Sequence, residues 1–258
     1  MIKVYLNGKD FINENNEFLS KDKYLSVFFY LDAKGLDKTD KGNFAIKVSN
    51  DNKELLAIKL SPYPLCLYGD NSLVNELITY LNQNGYTYNE TLCPEVIGDK
   101  LEDVNFYKFI GMDFMEANEY TLKSSNEVTK PNESDIDELF ILLNEFFKEC
   151  GLPDKTDNEK IKKILSNIRI IREDGKIVSL AAFTKNTDDS CRITHVYTRK
   201  EYRDKHYAKK VVNYIKNEIL DLGFIATLNV DQKNPISNHL YKSLGFKKVY
   251  AQGMYKKK

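Results

Sequence analysis

The feature of this sequence that most constrains its fold is a strand pattern, a basic turn and a helix pattern in succession. Polar and apolar residues alternate from Arg192 to Thr198, as in a strand. Beyond the turn, apolar residues recur at helical spacing on one face, at Ala208, Val211, Val212, Ile215, Ile219 and Leu222. The N–H groups of a first helical turn have no intrahelical partners, and the helix dipole favours negative charge there. The turn therefore predicts an anion-binding site, to which basic side chains add charge, namely Arg199, Lys200, Arg203, Lys205 and Lys209.

Two motifs in this region resemble those of a known family. Arg203–Ala208 reads R-D-K-H-Y-A and is similar to the R/Q-x-x-G-x-G/A pyrophosphate loop of the GNAT superfamily of acyl-CoA-dependent N-acyltransferases. Asn234–Phe246 reads N-P-I-S-N-H-L-Y-K-S-L-G-F and is similar to the second signature of that superfamily, N-P-x-S-N-x-x-Y-x-x-x-G-F. The two motifs together, in this order, are more specific than either one alone. The resemblance covers roughly the C-terminal half of the chain, most closely from Ile193 onward.

The resemblance implies an acetyl-CoA site with particular residues. The pantetheine arm would pair with the backbone of the strand that contains Val196, Tyr197 and Thr198, and an N–H near Val196 would bind the oxyanion. The pyrophosphate would bind the residues of the loop, which are Arg203, Asp204, Lys205, His206, Tyr207, Ala208 and Lys209. Asn234 would contact the co-substrate, and Tyr241 matches the tyrosine that acts as general acid toward the CoA thiolate.

Each of these residues also suits a plainer structural role. The strand could be an ordinary sheet strand, and the loop a solvated basic turn. Asn234 could be the N-cap of a helix that begins with Pro235. Tyr241 could pack in a core beside Leu240 and Leu244, while Gly245-Phe246 reads as a helix end followed by a core aromatic residue.

The loop departs from the family pattern at two positions where glycine is usual. The glycine of the motif falls at His206, and a second common glycine falls at Asp204. Glycine serves there because the backbone must come close to phosphate in a conformation that costs other residues energy. These substitutions put the affinity for CoA in question, and they leave the fold unaffected.

The general base is left open by the sequence. His195 lies on the central strand and has a side chain that titrates near neutral pH, so it is one candidate. Strand alternation puts His195 and Val196 on opposite faces, which would turn the imidazole away from the thioester. Glu173 is a further candidate, and a water relay is the remaining alternative.

Charge and cysteine content exclude several other classes of protein. Lys plus Arg and Asp plus Glu both number 38, so the formal net charge is zero and argues against partners such as nucleic acid or membrane. The four cysteines lack C-x-x-C spacing, and there are only three histidines, so we expect no metal and reduced thiols. The absence of a leader pattern or a long apolar run leads us to expect a cytoplasmic protein.

Hydrophobic periodicity predicts an α/β (α+β) chain of two domains, 1–123 and 124–258. In the first half the expected elements are a strand or lead-in at 1–6, a helix at 9–20, a helix or strand at 24–31, a hairpin at 43–60, a strand at 65–68 and a helix at 71–82. In the second half they are helices from Ser134 as N-cap to Cys150 and at 157–167, strands at 168–172, 177–184 and 192–198, the long helix, a strand at 225–230, a short helix and a strand at 246–255. The first helix of that half would end at Gly151-Leu152-Pro153, and Asn186-Thr187-Asp188-Asp189 would form a turn.

This order of elements resembles the GNAT fold, a mixed and mostly antiparallel sheet flanked by helices. The first half repeats the succession of hairpin, strand and helix, which suggests two tandem GNAT-like domains, the first of them without a phosphate loop. An unrelated α/β domain is the alternative for that half.

The resemblance thus implies an N-acyltransferase that moves an acetyl or short acyl group from acyl-CoA to a primary amine by direct attack in a ternary complex. The amine would belong to a small molecule or a peptide, and the oligomeric state is left open. The alternative is an inactive GNAT scaffold that binds acyl-CoA or regulates. The missing glycines favour this alternative, and Tyr241 opposes it.

Overall fold

The computed structural model describes residues 1–22, 24–151, 156–185 and 188–258. The helix end expected at Gly151-Leu152-Pro153 and the turn expected at 186–189 lie partly outside these residues. Contacts divide the chain into two compact units. Unit 1 comprises Met1–Phe114, Asp231–Lys233 and Tyr250–Lys258, and unit 2 comprises Met115–Val230 and Asn234–Val249. The division into domains 1–123 and 124–258 stays a prediction, since each unit is defined by contacts and unit 1 takes residues from both ends of the chain.

Unit 1 begins with a short strand and two helices, and a run of strands with two further helices follows. In chain order its elements are β1 (Ile2–Val4), α1 (Gly8–Leu19), α2 (Ser26–Gly35), β2 (Phe44–Asn50), β3 (Lys53–Lys59), β4 (Leu65–Gly69), α3 (Val74–Gln83), β5 (Glu90–Pro94), α4 (Glu95–Glu102) and β6 (Phe106–Ala117), of which Met115–Ala117 belongs to unit 2. The segment 24–31, which periodicity left undecided, lies mainly in helix α2. The sequence analysis did not predict β5, α4 or β6.

The strands of unit 1 lie in the order β1-β2-β3-β4-β5. All neighbours are antiparallel except β4 and β5, which are parallel. Alternate residues of β2 enter different cores, with Phe44 and Ile46 under α3 and α4, and Ala45 under α1 and α2. Helices therefore cover both faces of the strands, as the period of two requires when each face is apolar.

Unit 2 repeats this order of elements. They are β7 (Val128–Thr129), α5 (Ile136–Glu149), α6 (Asn158–Ile164), β8 (Ile168–Glu173), β9 (Lys176–Lys185), β10 (Ser190–Thr198), α7 (Tyr207–Asp221), β11 (Ile225–Asp231), α8 (Pro235–Ser243) and β12 (Lys247–Lys257), of which Asp231 and 250–257 belong to unit 1. Its strands lie in the order β7-β8-β9-β10-β11, antiparallel except for the parallel pair β10 and β11. The expected fold class, a mixed and mostly antiparallel sheet flanked by helices, is confirmed.

Two apolar cores cover the two faces of the unit 2 strands. Val211 and Ile215 of α7 pack with Ile193 on one face, which we call the α7 face. Leu139 of α5 packs with Leu180 on the other, which we call the α5 face. The expected helical stripe of α7 is wrong only at its end, because Leu222 follows the last helical residue and is 59% exposed.

The start of α5 also differs from the prediction. Asn132, and not Ser134, caps the turn that leads into α5, since its Oδ1 accepts the Ser134 N–H at 2.9 Å and Asp135 Oδ2 accepts the Asn132 N–H at 2.8 Å. Ser134 lies inside a single 3₁₀ turn, Glu133–Asp135, that leads into the helix. Asn132 and Asp135 form a reciprocal capping box, in which Ser134 is a donor to the cap.

Across the described residues, no helix combines the length and the apolar character needed to cross a bilayer.

Candidate active site

The two parallel strands of unit 2 separate partway along their length. β10 and β11 pair from Ser190 opposite Ile225 to Arg192 opposite Thr227. Beyond Arg192 and Thr227 the described residues show no further pairing between the two strands, although β10 runs to Thr198 and β11 to Asp231. The edge of β10 after Arg192 therefore presents backbone groups that no β11 partner satisfies, and an extended ligand could pair there as an added strand.

A β-bulge lies in β10 beside this opening. Thr194 is opposite Ala182 of β9, whereas Tyr197 is opposite Leu180, so His195 and Val196 together face one residue. His195 has a φ of 54° and takes the left-handed conformation, which is the geometry of a bulge normally built on glycine. The extra residue turns the strand where Val196, the predicted oxyanion donor, is located.

The side chains of the three predicted pantetheine-pairing residues are all occupied by the protein. Val196 packs against the apolar core of the α7 face. The Tyr197 hydroxyl donates to Glu145 Oε2 at 3.0 Å, and the Thr198 hydroxyl is 2.9 Å from that of Ser179. Burial raises the pKa of Tyr197 to about 12, and Glu145 adds to the shift. Only backbone is left for a ligand at these positions, in agreement with a backbone role.

His195 lies on the α5 face, opposite Val196. Its ring makes edge contacts with those of Phe146 and Phe147 at 5.5 Å each, and Nδ1 is 2.9 Å from the Thr194 hydroxyl oxygen. Burial lowers the pKa of His195, and the positive charge of Arg192 adds to the effect. The imidazole is therefore neutral at neutral pH and has a lone pair that can accept a proton.

The basic loop keeps the backbone that glycine would adopt. Asp204 has a φ of 64° and His206 a φ of 62°, so both positions that correspond to family glycines are left-handed. His206 is the N-cap of α7, and no side chain of the described residues caps this helix. The first-turn N–H groups of α7 therefore have neither an intrahelical partner nor a cap, and they are free for an anion.

Two of the basic side chains of the loop are neutralised by neighbouring carboxylates. Arg203 donates from Nε to the Thr198 carbonyl at 3.1 Å and from its terminal nitrogen to Glu149 at 2.7 and 2.9 Å. Lys205 is 3.3 Å from Glu173. Their positive charges stabilise the loop and contribute little to attracting a ligand.

Lys209 is different, because it forms no ion pair within the described ranges. It is half-buried and, with His206, lines a small pocket of about 120 Å³ at the start of α7.

Tyr207 donates its hydroxyl to Glu173, and this hydrogen bond, with Lys205, lowers the pKa of Glu173. Glu173 is therefore ionised and engaged, which makes it a poor candidate for the base.

The corresponding helix of unit 1 has no such free terminus. There β4 leads into a 3₁₀ turn, Asn71–Leu73, and then α3. The carboxylate of Asp70 accepts the Ser72 N–H at 2.8 Å, so a negative side chain already occupies the start of that turn. An anionic ligand would meet repulsion there. Of the two helix starts, that of α7 is open to a phosphate and that of unit 1 is not.

The second motif places its residues on α8. Asn234 Oδ1 accepts the Ser237 N–H at 3.0 Å, so Asn234 is an N-cap with Pro235 at the first helical position. Tyr241 is buried in the core of the α7 face, with its ring 6.1 Å from that of Phe246. Burial raises the pKa of Tyr241 to about 12, so the phenol holds its proton at neutral pH. A general acid needs that proton.

One residue of the site was missed by the sequence reasoning, which treated Arg192 only as the start of a strand. Its Nε is buried without a hydrogen-bond partner, and no carboxylate pairs with it among the residues described. The available signal was an arginine flanked by the apolar Cys191 and Ile193 in a central strand.

No group of three potential metal ligands is found in the described part of the chain.

Comparisons with solved structures agree with the fold. A GCN5-related N-acetyltransferase from Sphaerobacter thermophilus matches with a TM-score of 0.66 at 13% identity, covering 100% of this chain and 95% of that one. A GNAT-family acetyltransferase from Colwellia psychrerythraea matches with a TM-score of 0.66 at 10% identity, covering 100% of both chains. At these identities the matches show the fold alone, and they show it over both units, in agreement with a GNAT-like N-terminal domain.

Comparison of sequences gives a narrower result. No curated protein matches the chain. The family model described as Acetyltransferase (GNAT) family matches residues 136–246. These residues include the divided strands, the loop and α8, and the chain therefore carries a domain of the GNAT acetyltransferase family, a family of acyl transfer from acyl-CoA.

Proposed function

We propose that this chain transfers an acetyl or other short acyl group from acyl-CoA to a primary amine, by direct attack in a ternary complex. The observation that carries the proposal is the left-handed backbone of Asp204 and His206 at the uncapped start of α7. Two residues other than glycine hold a conformation that costs each of them roughly 1 kcal/mol or more. Such a cost is typical of a loop with a ligand to bind.

The residues of the loop fit the diphosphate of CoA. The backbone N–H groups at the start of α7, contributed by Tyr207, Ala208 and Lys209, would be its donors. Lys209, which is not engaged in an ion pair among the described residues, would supply the charge. Arg203, Asp204 and Lys205 would act through the loop backbone, because the side chains of Arg203 and Lys205 are held by Glu149 and Glu173.

The divided strands fit the rest of the co-substrate. The edge of β10 from Val196 to Thr198 would pair with the amide groups of pantetheine, and the N–H near Val196 would stabilise the oxyanion. Asn234 would contact the co-substrate through groups that capping leaves free. The thioester supplies an acyl group activated toward nucleophiles, and every other contribution comes from the chain.

Two proton transfers complete the reaction. The amine nitrogen forms a bond to the carbonyl carbon as the carbon–sulfur bond breaks, and the nitrogen loses one proton while the thiolate gains one. Tyr241, protonated at neutral pH, is the proposed donor to the thiolate. His195, neutral and half-buried on the α5 face, is the proposed acceptor of the proton from the amine.

The inactive-scaffold alternative is not favoured. It was suggested by the missing glycines, but both positions have the backbone conformation of glycine. A loop released from ligand binding would have no reason to retain two strained residues on either side of Lys205. The proposed acid, Tyr241, is also present.

Calorimetric titration with acetyl-CoA, followed by a thiol-release assay over mixed amines, tests the proposal. We expect binding and turnover. We expect Lys209→Ala to weaken acetyl-CoA binding roughly tenfold, because a charged hydrogen bond is worth about 1.5–3 kcal/mol. Lys200→Ala removes the same charge from an exposed position before the loop and serves as the matched control. Binding without turnover of any amine would support the inactive scaffold instead.

A further inference from the structure

An unpaired arginine lies on the α5 face of β10. Cys191 and Ile193 pack into the core of the α7 face, so Arg192 between them points to the opposite face. This is the face on which Tyr197 and His195 meet α5. The positive charge of Arg192 also helps to lower the pKa of His195 on this face.

The Arg192 guanidinium is charged and lacks a counterion. Its Nε is buried without a hydrogen bond, and no ion pair involves this side chain in the described ranges. Burial lowers its pKa, yet a guanidinium remains protonated in proteins. The residue is half-buried, so its charge is partly removed from water, and a ligand could supply the missing partner.

The position of Arg192 is where the two strands separate. It is the last residue of β10 paired with β11, through Thr227. Asn229 follows on β11, and since Leu228 and Val230 pack on the α7 face, Asn229 shares the α5 face with Arg192. The Asn229 Oδ1 is also buried and has no partner in the described part of the chain, so a donor and an acceptor are both unmet on one face.

We infer that the acyl acceptor carries a carboxylate and that Arg192 binds it, which makes the substrate an amino acid or another small amine with a carboxylate group. This inference rests on the proposed function. The planar guanidinium matches the two oxygens of a carboxylate and can bind both. Asn229 Oδ1 offers an acceptor for an N–H of the same substrate.

A carboxylate fits better than a phosphate for reasons of charge. His195 is neutral at neutral pH, so Arg192 supplies one positive charge to this face. One guanidinium balances a monoanion, whereas a phosphate monoester carries nearly two negative charges and calls for a second cation.

Matched pairs of acceptors test the inference. Amino acids with α-, β- and ω-amino groups would each be assayed beside the corresponding carboxamide, with phosphoethanolamine as the phosphate-bearing amine. We expect kcat/KM for at least one class of amino acid to exceed that of its carboxamide roughly tenfold or more. A preference for phosphoethanolamine, or equal rates within every pair, would overturn the inference.

Substitution of Arg192 separates recognition from structure. Arg192→Gln should raise KM for the preferred amino acid roughly tenfold or more and leave KM for its carboxamide unchanged. Arg192→Lys keeps the charge without the planar fork and should recover only part of the loss. A merely structural arginine would instead change both members of the pair alike.

Thermal unfolding gives a readout that does not need turnover. With CoA present, the preferred amino acid should raise the Tm of the unmodified protein and not that of Arg192→Gln. If acetyl-CoA binds but no amine is acylated, the proposed function fails, and the thermal shifts still decide whether Arg192 binds a carboxylate. If carboxamides are acylated as fast as acids and Arg192→Gln changes neither, the inference fails while the proposed function stands.

Discussion

At the scale of single residues, several residues of the site have an unfavourable backbone conformation or an unfavourable side-chain environment. His195, Asp204 and His206 have positive φ, Arg192 has no counterion among the described residues, and Tyr241 is a buried phenol. Strain and unmet polar groups of this kind cluster where a protein binds or reacts. Sequence indicated the loop residues through the glycine positions of the motif, but no local pattern shows whether a charge is paired. This is why Arg192 was missed.

The strain at His206 can be measured through stability. His206→Gly should raise the free energy of unfolding relative to Lys205→Gly by about 1 kcal/mol, because only His206 holds a φ of 62°. Both variants gain the same chain entropy in the unfolded state, so the comparison isolates the backbone strain. Urea denaturation of the two variants measures the difference. Equal stabilities would mean that the loop has relaxed.

The role of Tyr241 can be measured through kinetics. Tyr241→Phe should lower kcat roughly 100-fold and leave acetyl-CoA affinity unchanged, since only the proton donor is lost. Steady-state kinetics and calorimetry on the same variant measure the two quantities. A variant with full kcat would remove Tyr241 from the mechanism.

The pH dependence of the wild type follows from the same residue. Burial raises the pKa of Tyr241 to about 12, above the value of about 10 in an unfolded chain. Its contribution to stability is therefore fully present below about pH 10 and is lost as pH rises through about 12. The pH–rate profile should show no loss of activity from this group below about pH 10. A fall in kcat near pH 8 that Tyr241→Phe abolishes would contradict this.

At the scale of elements, the sequence predicted most helices and strands, because their apolar periods are long and regular. The predictions that failed concern local features, a helix cap and a β-bulge. Ser134 was predicted as N-cap, whereas Asn132 forms the capping box with Asp135 at the turn before α5. The bulge in β10 was not predicted, since one extra residue hardly changes an alternating pattern and depends on the register with β9.

The β10 strand is attached to α5 through Tyr197, and this attachment can be tested separately from function. Tyr197→Phe removes the hydrogen bond to Glu145 and should cost about 1 kcal/mol of stability. Activity should remain within about threefold of wild type, because backbone serves the ligand at this position. Tyr214→Phe is the matched control, since the Tyr214 hydroxyl makes no hydrogen bond within the described residues. A large loss of turnover in Tyr197→Phe at unchanged stability would contradict the backbone role.

At the scale of the whole molecule, the sequence predicted two repeats of one fold, but it did not predict where the last strand belongs. It treated residues 246–255 as the closing strand of the second half, whereas Tyr250–Lys258 belongs to unit 1. There β12 pairs with β5, from Gln252 opposite Pro94 to Lys256 opposite Glu90. Partners so far apart along the chain leave no local trace, since each reads simply as a strand.

The packing of this strand gives a test within unit 1. A Cβ on Gly98 would lie 1.9 Å from the ring of the fully buried Tyr255, so Gly98→Ala should destabilise the protein by about 1–3 kcal/mol. Tyr255→Leu in the same chain should recover part of this cost, which a double-mutant cycle measures. Gly42→Ala, whose Cβ would have neighbours no closer than 3.5 Å, is the matched control. Equal stabilities of Gly98→Ala and Gly42→Ala would contradict this packing.

The proposed function requires that the start of α7 bind acyl-CoA despite the side chains of Asp204 and His206. Calorimetric titration of the intact chain with CoA tests it most directly. We predict one site per chain, an affinity that falls as salt rises because charge is involved, and a loss of roughly tenfold in Lys209→Ala and none in Lys200→Ala. CoA binding at the start of α7 would be contradicted if the folded protein takes up no CoA at millimolar concentration. It would equally be contradicted if the two variants bind CoA with the same affinity.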